Sequence, residues 1–134
     1  MKLKELLQNY DLHDGSINSM YYDSGQKKVV IDVDLCNWGQ PSYRETEPDL
    51  ISGKLIFTGV SQYKIETEMP GCKFDDDEIL MAKLLPSQRE QKEIIQITLL
   101  AFLFPEKKQV VKVLQIEAED VVWEVSGFKN SADI

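Results

Sequence analysis

Between Lys27 and Cys36, Val29, Ile31, Val33 and Leu35 alternate with Lys28, Val30, Asp32 and Asp34. Successive side chains of a β-strand point to opposite faces, so this stretch reads as a strand with one buried and one mostly wet face. A helix would scatter the same residues around its circumference. Such a strand needs a sheet to cover it, and the neighbouring sequence supplies partners. Ser16 to Tyr22 leads through the turn cluster Asp23-Ser24-Gly25-Gln26 into this strand, which predicts an antiparallel hairpin with a four-residue loop.

The rest of the chain continues in this manner. Gly53 to Val60 and Gln62 to Met69 read as two strand segments or one bent strand, with Gly59 marking a bulge or a close backbone approach. Glu93 to Phe104 reads as one long strand or two shorter ones, and Val110 to Glu117 pairs back on it across Pro105-Glu106-Lys107-Lys108. Val121 to Val125 is a last short strand, and residues 127–134 read as a frayed tail. Phe74 to Leu85 is ambiguous. Asp75-Asp76-Asp77-Glu78 could open a helix, but Glu78 to Leu84 fits a strand nearly as well. Near the N-terminus Leu3, Leu6, Leu7 and Tyr10 recur at helical spacing over two turns, too short to stand without docking. The expected fold is α+β. It is a mainly antiparallel sheet of six to eight strands, strongly curved or half-closed, with a short N-terminal helix, in a single domain over residues 1–134.

Charge narrows the function. The 134 residues carry 15 Lys plus Arg against 23 Asp plus Glu, a net of −8. The excess divides evenly between the two halves, so there is no acidic tail and no basic block. Nucleic acid is a poor partner for such a chain, because binding it requires a concentrated positive patch. Anionic membranes are repelled and basic proteins attracted. No apolar run approaches a membrane span, and Lys2 and Lys4 interrupt the N-terminal apolar stretch where a signal peptide would be continuous. The two cysteines, Cys36 and Cys72, make neither a disulfide framework nor a zinc site, although a single bond between them is open. The reading is a cytoplasmic, reduced protein with no cofactor.

Catalytic patterns are thin. His13 is the sole histidine, and with Asp14 it forms a polar dipeptide at the helix-to-strand corner. These two are a candidate polar site, and their simpler role is to bond nearby backbone. Asp32 and Asp34 share a strand face and could hold a cation, or merely be solvated. The acidic run 75–78 lacks the alternating ligands and glycine of a calcium loop, and no metal site is expected. Cys36 could approach His13 as a nucleophile pair or be a buried structural thiol. The strongest candidate is the loop of about 15 residues after Cys36. It holds Trp38, Tyr43 and Arg44 among prolines, and these residue types dominate interface hot spots.

The opening Leu12-His13-Asp14-Gly15-Ser16-Ile17 before a hairpin, and the later Leu55-Ile56-Phe57-Thr58-Gly59-Val60, resemble a group of small bacterial proteins with a Leu-His-Asp-Ser/Gly start and a Phe-x-Gly-Val strand. Some of that group look like immunity proteins, which neutralise a toxin. The resemblance covers about the first 60 residues and assigns no role to His13 or Asp14. The thin catalytic patterns, the acidic surface and the aromatic, proline-containing loop point to a non-enzymatic, protein-binding module, and the resemblance adds an immunity-type inhibitor as its kind. The alternatives are a small-ligand carrier built on a barrel-like sheet, and an enzyme using His13. An edge strand could also pair two copies into a homodimer.

Overall fold

A computed structural model describes residues 1–41, 43, 44, 46, 48–67, 77–103 and 108–129. Helix α1 (Leu3–Asn9) is followed by β1 (Ser16–Asp23), β2 (Lys28–Cys36), a single 3-10 turn (Asn37–Gly39), β3 (Leu50–Thr58) and β4 (Gln62–Thr67). Then come β5 (Asp77–Leu85), β6 (Glu93–Leu103), β7 (Lys108–Ala118) and β8 (Asp120–Lys129). These eight strands form one antiparallel sheet in the order β4-β7-β6-β5-β1-β2-β3-β8.

The alternation in β2 is realised as expected. Val29, Ile31, Val33 and Leu35 are fully buried and face the core. Rows of such residues cross the sheet, for instance Met20–Ile31–Leu55–Trp123 and Val29–Phe57–Val121. The other half repeats the arrangement with Ala82–Ile97–Leu114–Ile65. Together with Leu3 and Leu6 of α1 these side chains make a single apolar cluster. Full burial of each Leu, Ile or Val contributes roughly 1.5–3 kcal/mol, so this cluster is the main source of stability.

Several boundaries differ from the expectation. The ambiguous stretch is strand from Asp77 to Leu85, with a bulge between Ile79 and Met81 that keeps Ile79 and Ala82 on the core side. Its neighbour β6 decides the matter, because seven residues of β5 pair with it in register. Strand β3 begins at Leu50, three residues earlier than the glycine suggested, because Leu50, Ile51 and Ser52 pair with Cys36, Leu35 and Asp34. Gly127, Phe128 and Lys129 are not tail but the end of β8, paired with Ser52, Ile51 and Leu50. The turn Pro70-Gly71, Cys72 and the acidic residues 75 and 76 lie outside the described residues, as do 130–134.

Gly59 turns the corner between β3 and β4 with φ +63°, where an added Cβ would sit 2.7 Å from the Glu119 side chain. Strands β3 and β4 are therefore separate and lie far apart in the sheet, β3 beside β8 and β4 beside β7. Pairing nevertheless continues through the corner. Glu119 N–H donates to the Thr58 carbonyl (3.1 Å) and Ser61 N–H to the Glu117 carbonyl (2.9 Å). Helix α1 packs against β5, β6 and β8. Met1 and Val121 exchange backbone hydrogen bonds of 2.9 and 3.0 Å, which covers the start of the β8 edge. The opposite edge strand, β4, carries the ion pair Lys64–Glu66 (2.9 Å), and charges on an edge oppose edge-to-edge pairing.

Candidate functional site

The alternating strand directions place the α1–β1 connection, the β2–β3 loop and the end of β8 at one end of the sheet. The expected candidates gather there. Gln40, 6 % exposed, ties two of these segments together. Its side-chain carbonyl accepts Asp11 N–H (2.9 Å), and its amide donates to the carbonyls of Asp11 (2.7 Å) and Cys36 (2.9 Å). Asn37 is buried and bonds the far side of the loop, donating to the Pro48 carbonyl from its side chain and to the Asp49 carbonyl from its backbone (both 2.7 Å). The 3-10 turn between these two residues presents Trp38, 57 % exposed. Tyr43 donates its backbone N–H to the Gln40 carbonyl (3.1 Å) and is half-buried, while Arg44 is exposed. The neighbouring carboxylates Glu45 and Glu47 lie outside the described residues.

His13 and Asp14 sit beside this loop. Asp14 adopts φ 64°, and its backbone N–H bonds the Ile79 carbonyl (3.0 Å), which joins the corner to β5. The His13 imidazole faces solvent, with Nδ1 3.2 Å from its own neighbour's carboxylate. The Cys36 thiol donates to the Asp14 carbonyl at 3.3 Å, not to the His13 ring. Burial raises the Cys36 pKa, and the carboxylates of Asp14, Asp11, Asp49 and Glu78 add to the rise. The thiol is held in its protonated, unreactive form, the opposite of what nucleophilic catalysis requires.

Asp32 and Asp34 share the solvent-side face of β2 but act separately. Asp32 accepts from Ser19 Oγ (2.5 Å) and faces Lys54 at 3.9 Å. Asp34 accepts from Ser52 Oγ (2.6 Å) and Asn18 Nδ2 (3.1 Å), and Lys129 Nζ lies at 2.9 Å. Burial by itself would raise the Asp34 pKa, but these three donors outweigh it and hold the carboxyl below its ordinary value. The oxygens that a cation would need are already engaged by this chain. Among the described residues there is no cluster of three or more His, Cys, Asp or Glu able to hold a metal ion.

A second polar assembly lies by the start of β2 and the end of β3, where Val60 N–H bonds the Lys27 carbonyl, and is built from residues far apart in sequence. Glu117 of β7 is 6 % exposed. Its Oε1 accepts from Ser61 Oγ at 2.5 Å and its Oε2 from Ser87 Oγ at 2.8 Å, and Oε1 forms an ion pair with Arg89 Nε at 3.1 Å. The hydrogen bond from Ser61 lowers the Glu117 pKa, burial opposes this, and Ser87, Arg89 and Lys92 reinforce the lowering. Ser87 Oγ also accepts Arg89 N–H (3.1 Å), which folds the β5–β6 connection back on β7. Sequence reasoning passed over this group. The one local signal was Glu117 itself, a carboxylate among the apolar residues ending β7, while its three partners come from two other connections.

No helix among the described residues is long and apolar enough to cross a membrane. Comparison with known proteins finds no matching protein family, no matching curated protein and no matching solved structure, so the functional reading of this chain rests on the geometry described above.

Proposed function

We propose that this chain is a cytoplasmic, non-enzymatic protein-binding module, of the kind an immunity-type toxin inhibitor would be, and that Trp38 anchors its contact surface. The carrying observation is a large aromatic side chain, 57 % exposed, on a turn locked from both sides by Gln40 and Asn37. A turn held in place before binding loses little backbone entropy when its side chain docks, and Trp, Tyr and Arg carry most of the energy at interfaces. Tyr43 and Arg44 follow in the same loop. The net charge of −8 favours a basic partner through faster, salt-sensitive association. The protonated, carbonyl-bonded Cys36 and the solvent-facing His13 weigh against an enzyme built on that pair.

The test is capture from a lysate of the source organism on immobilised wild-type protein and on Trp38→Ala, at low and moderate salt. The expected result is one stoichiometric basic protein, held by the wild type and released by salt. Its dissociation constant should rise about 30-fold or more in Trp38→Ala, as for a hot spot of about 2 kcal/mol, while the unfolding midpoint stays put. Unchanged affinity overturns the assignment of Trp38. An empty capture together with a co-purifying small molecule in native mass spectrometry would favour the ligand-carrier alternative.

We further infer that the sheet is strongly curved. Strands β7, β6 and β5 lie between β4 and β1. In a flat sheet the four spacings would separate β4 and β1 by about 19 Å. Yet the rings of Tyr22 on β1 and Tyr63 on β4 stack with centroids 4.8 Å apart. The continuous pairing of β3–β4 with β7–β8 supports the same reading, since both edges of the sheet belong to that one ribbon. Cysteines placed at positions 22 and 63, with Cys36→Ala and Cys72→Ser in the background, should be joined within one molecule by a cross-linker much shorter than the flat-sheet separation. Failure to join them while the fold is retained would contradict the curvature.

A further inference from the structure

We propose that the open cleft beside the β5–β6 connection binds a planar carboxylate, carried by a small acid or by a peptide C-terminus, with Arg89 as its anchor. The cleft has a volume of about 700 Å³, within the range of small-molecule sites. Glu117 forms part of its wall but is not the ligand-binding group, because Ser61, Ser87 and Arg89 already occupy both of its oxygens. It acts as a bracket. By pairing with Arg89 at Nε (3.1 Å), it tethers the guanidinium at the cleft wall through an atom other than the two terminal Nη groups. The Arg89 side chain is 63 % exposed, and Glu117 is its one ion-pair partner among the described residues.

The chemistry around that fork selects the ligand class. A guanidinium is planar and matches a carboxylate with two parallel hydrogen bonds. Gln62 and Gln88 line the cleft with neutral amides that can donate to or accept from an adjoining amide or hydroxyl, and Pro86 and Ile94 supply apolar wall. Lys92 is tethered to the Gly59 carbonyl at 3.2 Å and adds a second positive charge near Glu117. Among the residues lining the cleft the charges of Arg89 and Glu117 balance, and Lys92 stands outside the lining on a protein of net −8. A planar fork in a lining of balanced charge suits a monocarboxylate better than a phosphate dianion. The cleft lies by Ser61, just past the end of β3, and Trp38 follows the end of β2, which pairs with the start of β3, so this site stands independently of the protein-binding reading.

The probes are N-acetylglycine, its neutral amide, inorganic phosphate and an N-acetylated tripeptide with a free C-terminus. Binding is followed by NMR on the Arg89 Nε–H and the side-chain amides of Gln62 and Gln88. N-acetylglycine or the tripeptide should shift these signals saturably at millimolar concentration, and whichever binds more tightly identifies the source of the carboxylate. The neutral amide should not bind, and phosphate should bind more weakly. Arg89→Gln should abolish the shifts, and Arg89→Lys should weaken binding about tenfold, since a charge without a fork forms one bond in place of two. Gln62→Glu places a second carboxylate across the β4–β7 pair from Glu117, where it repels an anionic ligand and competes for Arg89, and it should also weaken binding at least tenfold. The proposal is overturned by the absence of saturable binding, by equal binding of the neutral amide or of phosphate, or by indifference to both Arg89→Gln and Gln62→Glu.

Discussion

Replacing Asp77 by Ala is expected to lower the unfolding free energy by about 3–5 kcal/mol, the cost of breaking a buried ion pair from one side. Asp77 Oδ2 lies 2.7 Å from Lys112 Nζ, and the two side chains are 2 % and 1 % exposed. The carboxylate offsets much of the cost of keeping an ammonium away from water. Its removal leaves Lys112 in the same place without that partner. The pair itself need not be a net gain over apolar residues of similar volume, because both charges lose hydration on burial. The double variant Asp77→Leu, Lys112→Met should therefore recover most of the loss. Urea unfolding of the wild type, the single variant and the double variant measures both quantities. A single variant within about 0.5 kcal/mol of wild type, the range of an ordinary surface substitution, would show that the pair is not buried as described.

Phe57→Ala is expected to cost about 3–5 kcal/mol, as for truncation of a fully buried aromatic residue that leaves a cavity. Phe57 is 0 % exposed and lies between Val29 and Val121, which are also fully buried. Phe128→Ala is the control. Phe128 also belongs to a strand, but it is 54 % exposed at the end of β8, so its truncation should stay within about 0.5 kcal/mol. Equal losses in the two variants would contradict the placement of the core.

The contrast between these two phenylalanines shows where sequence reading stops. Phe57 lies in a run that reads as strand and Phe128 in a stretch that reads as tail, yet both are strand, and neither local pattern tells how deeply the ring is buried. Phe57 is inside because β2 and β8 flank it with apolar partners, whereas Phe128 is outside because β8 is the edge of the sheet and runs out at Lys129. Lys112 makes the same point for charge. It shares strand parity with Val110, Leu114 and Ile116, so its inward direction was encoded locally. Its compensating partner is 35 residues away, and nothing near either residue announces the other. The acidic run ending at Glu78 left helix and strand open for a related reason. It carries no strong periodicity, and pairing with β6 settled it.

The candidate sites divide in the same way. Trp38, Tyr43, Arg44, His13 and Asp14 stood out as residue types in a long loop and at a corner. The link between the loop and that corner is Gln40, which reaches Asp11 across 29 residues and has no motif. The Glu117 cleft was invisible, because Ser61, Ser87 and Arg89 are ordinary connection residues until three segments meet.

By itself the amino-acid sequence determined the short helix, the strand character of most of the chain and the faces along β2, because propensity and side-chain alternation act between residues a few positions apart. Tertiary structure decided the order of the strands, which edges are left open, which charges are buried and where the two polar assemblies form. The physical reason lies in the backbone. The hydrogen-bonding groups of every strand are chemically alike, so the choice of neighbour falls to side chains distant in the chain that must fill one core and satisfy each other's buried charges.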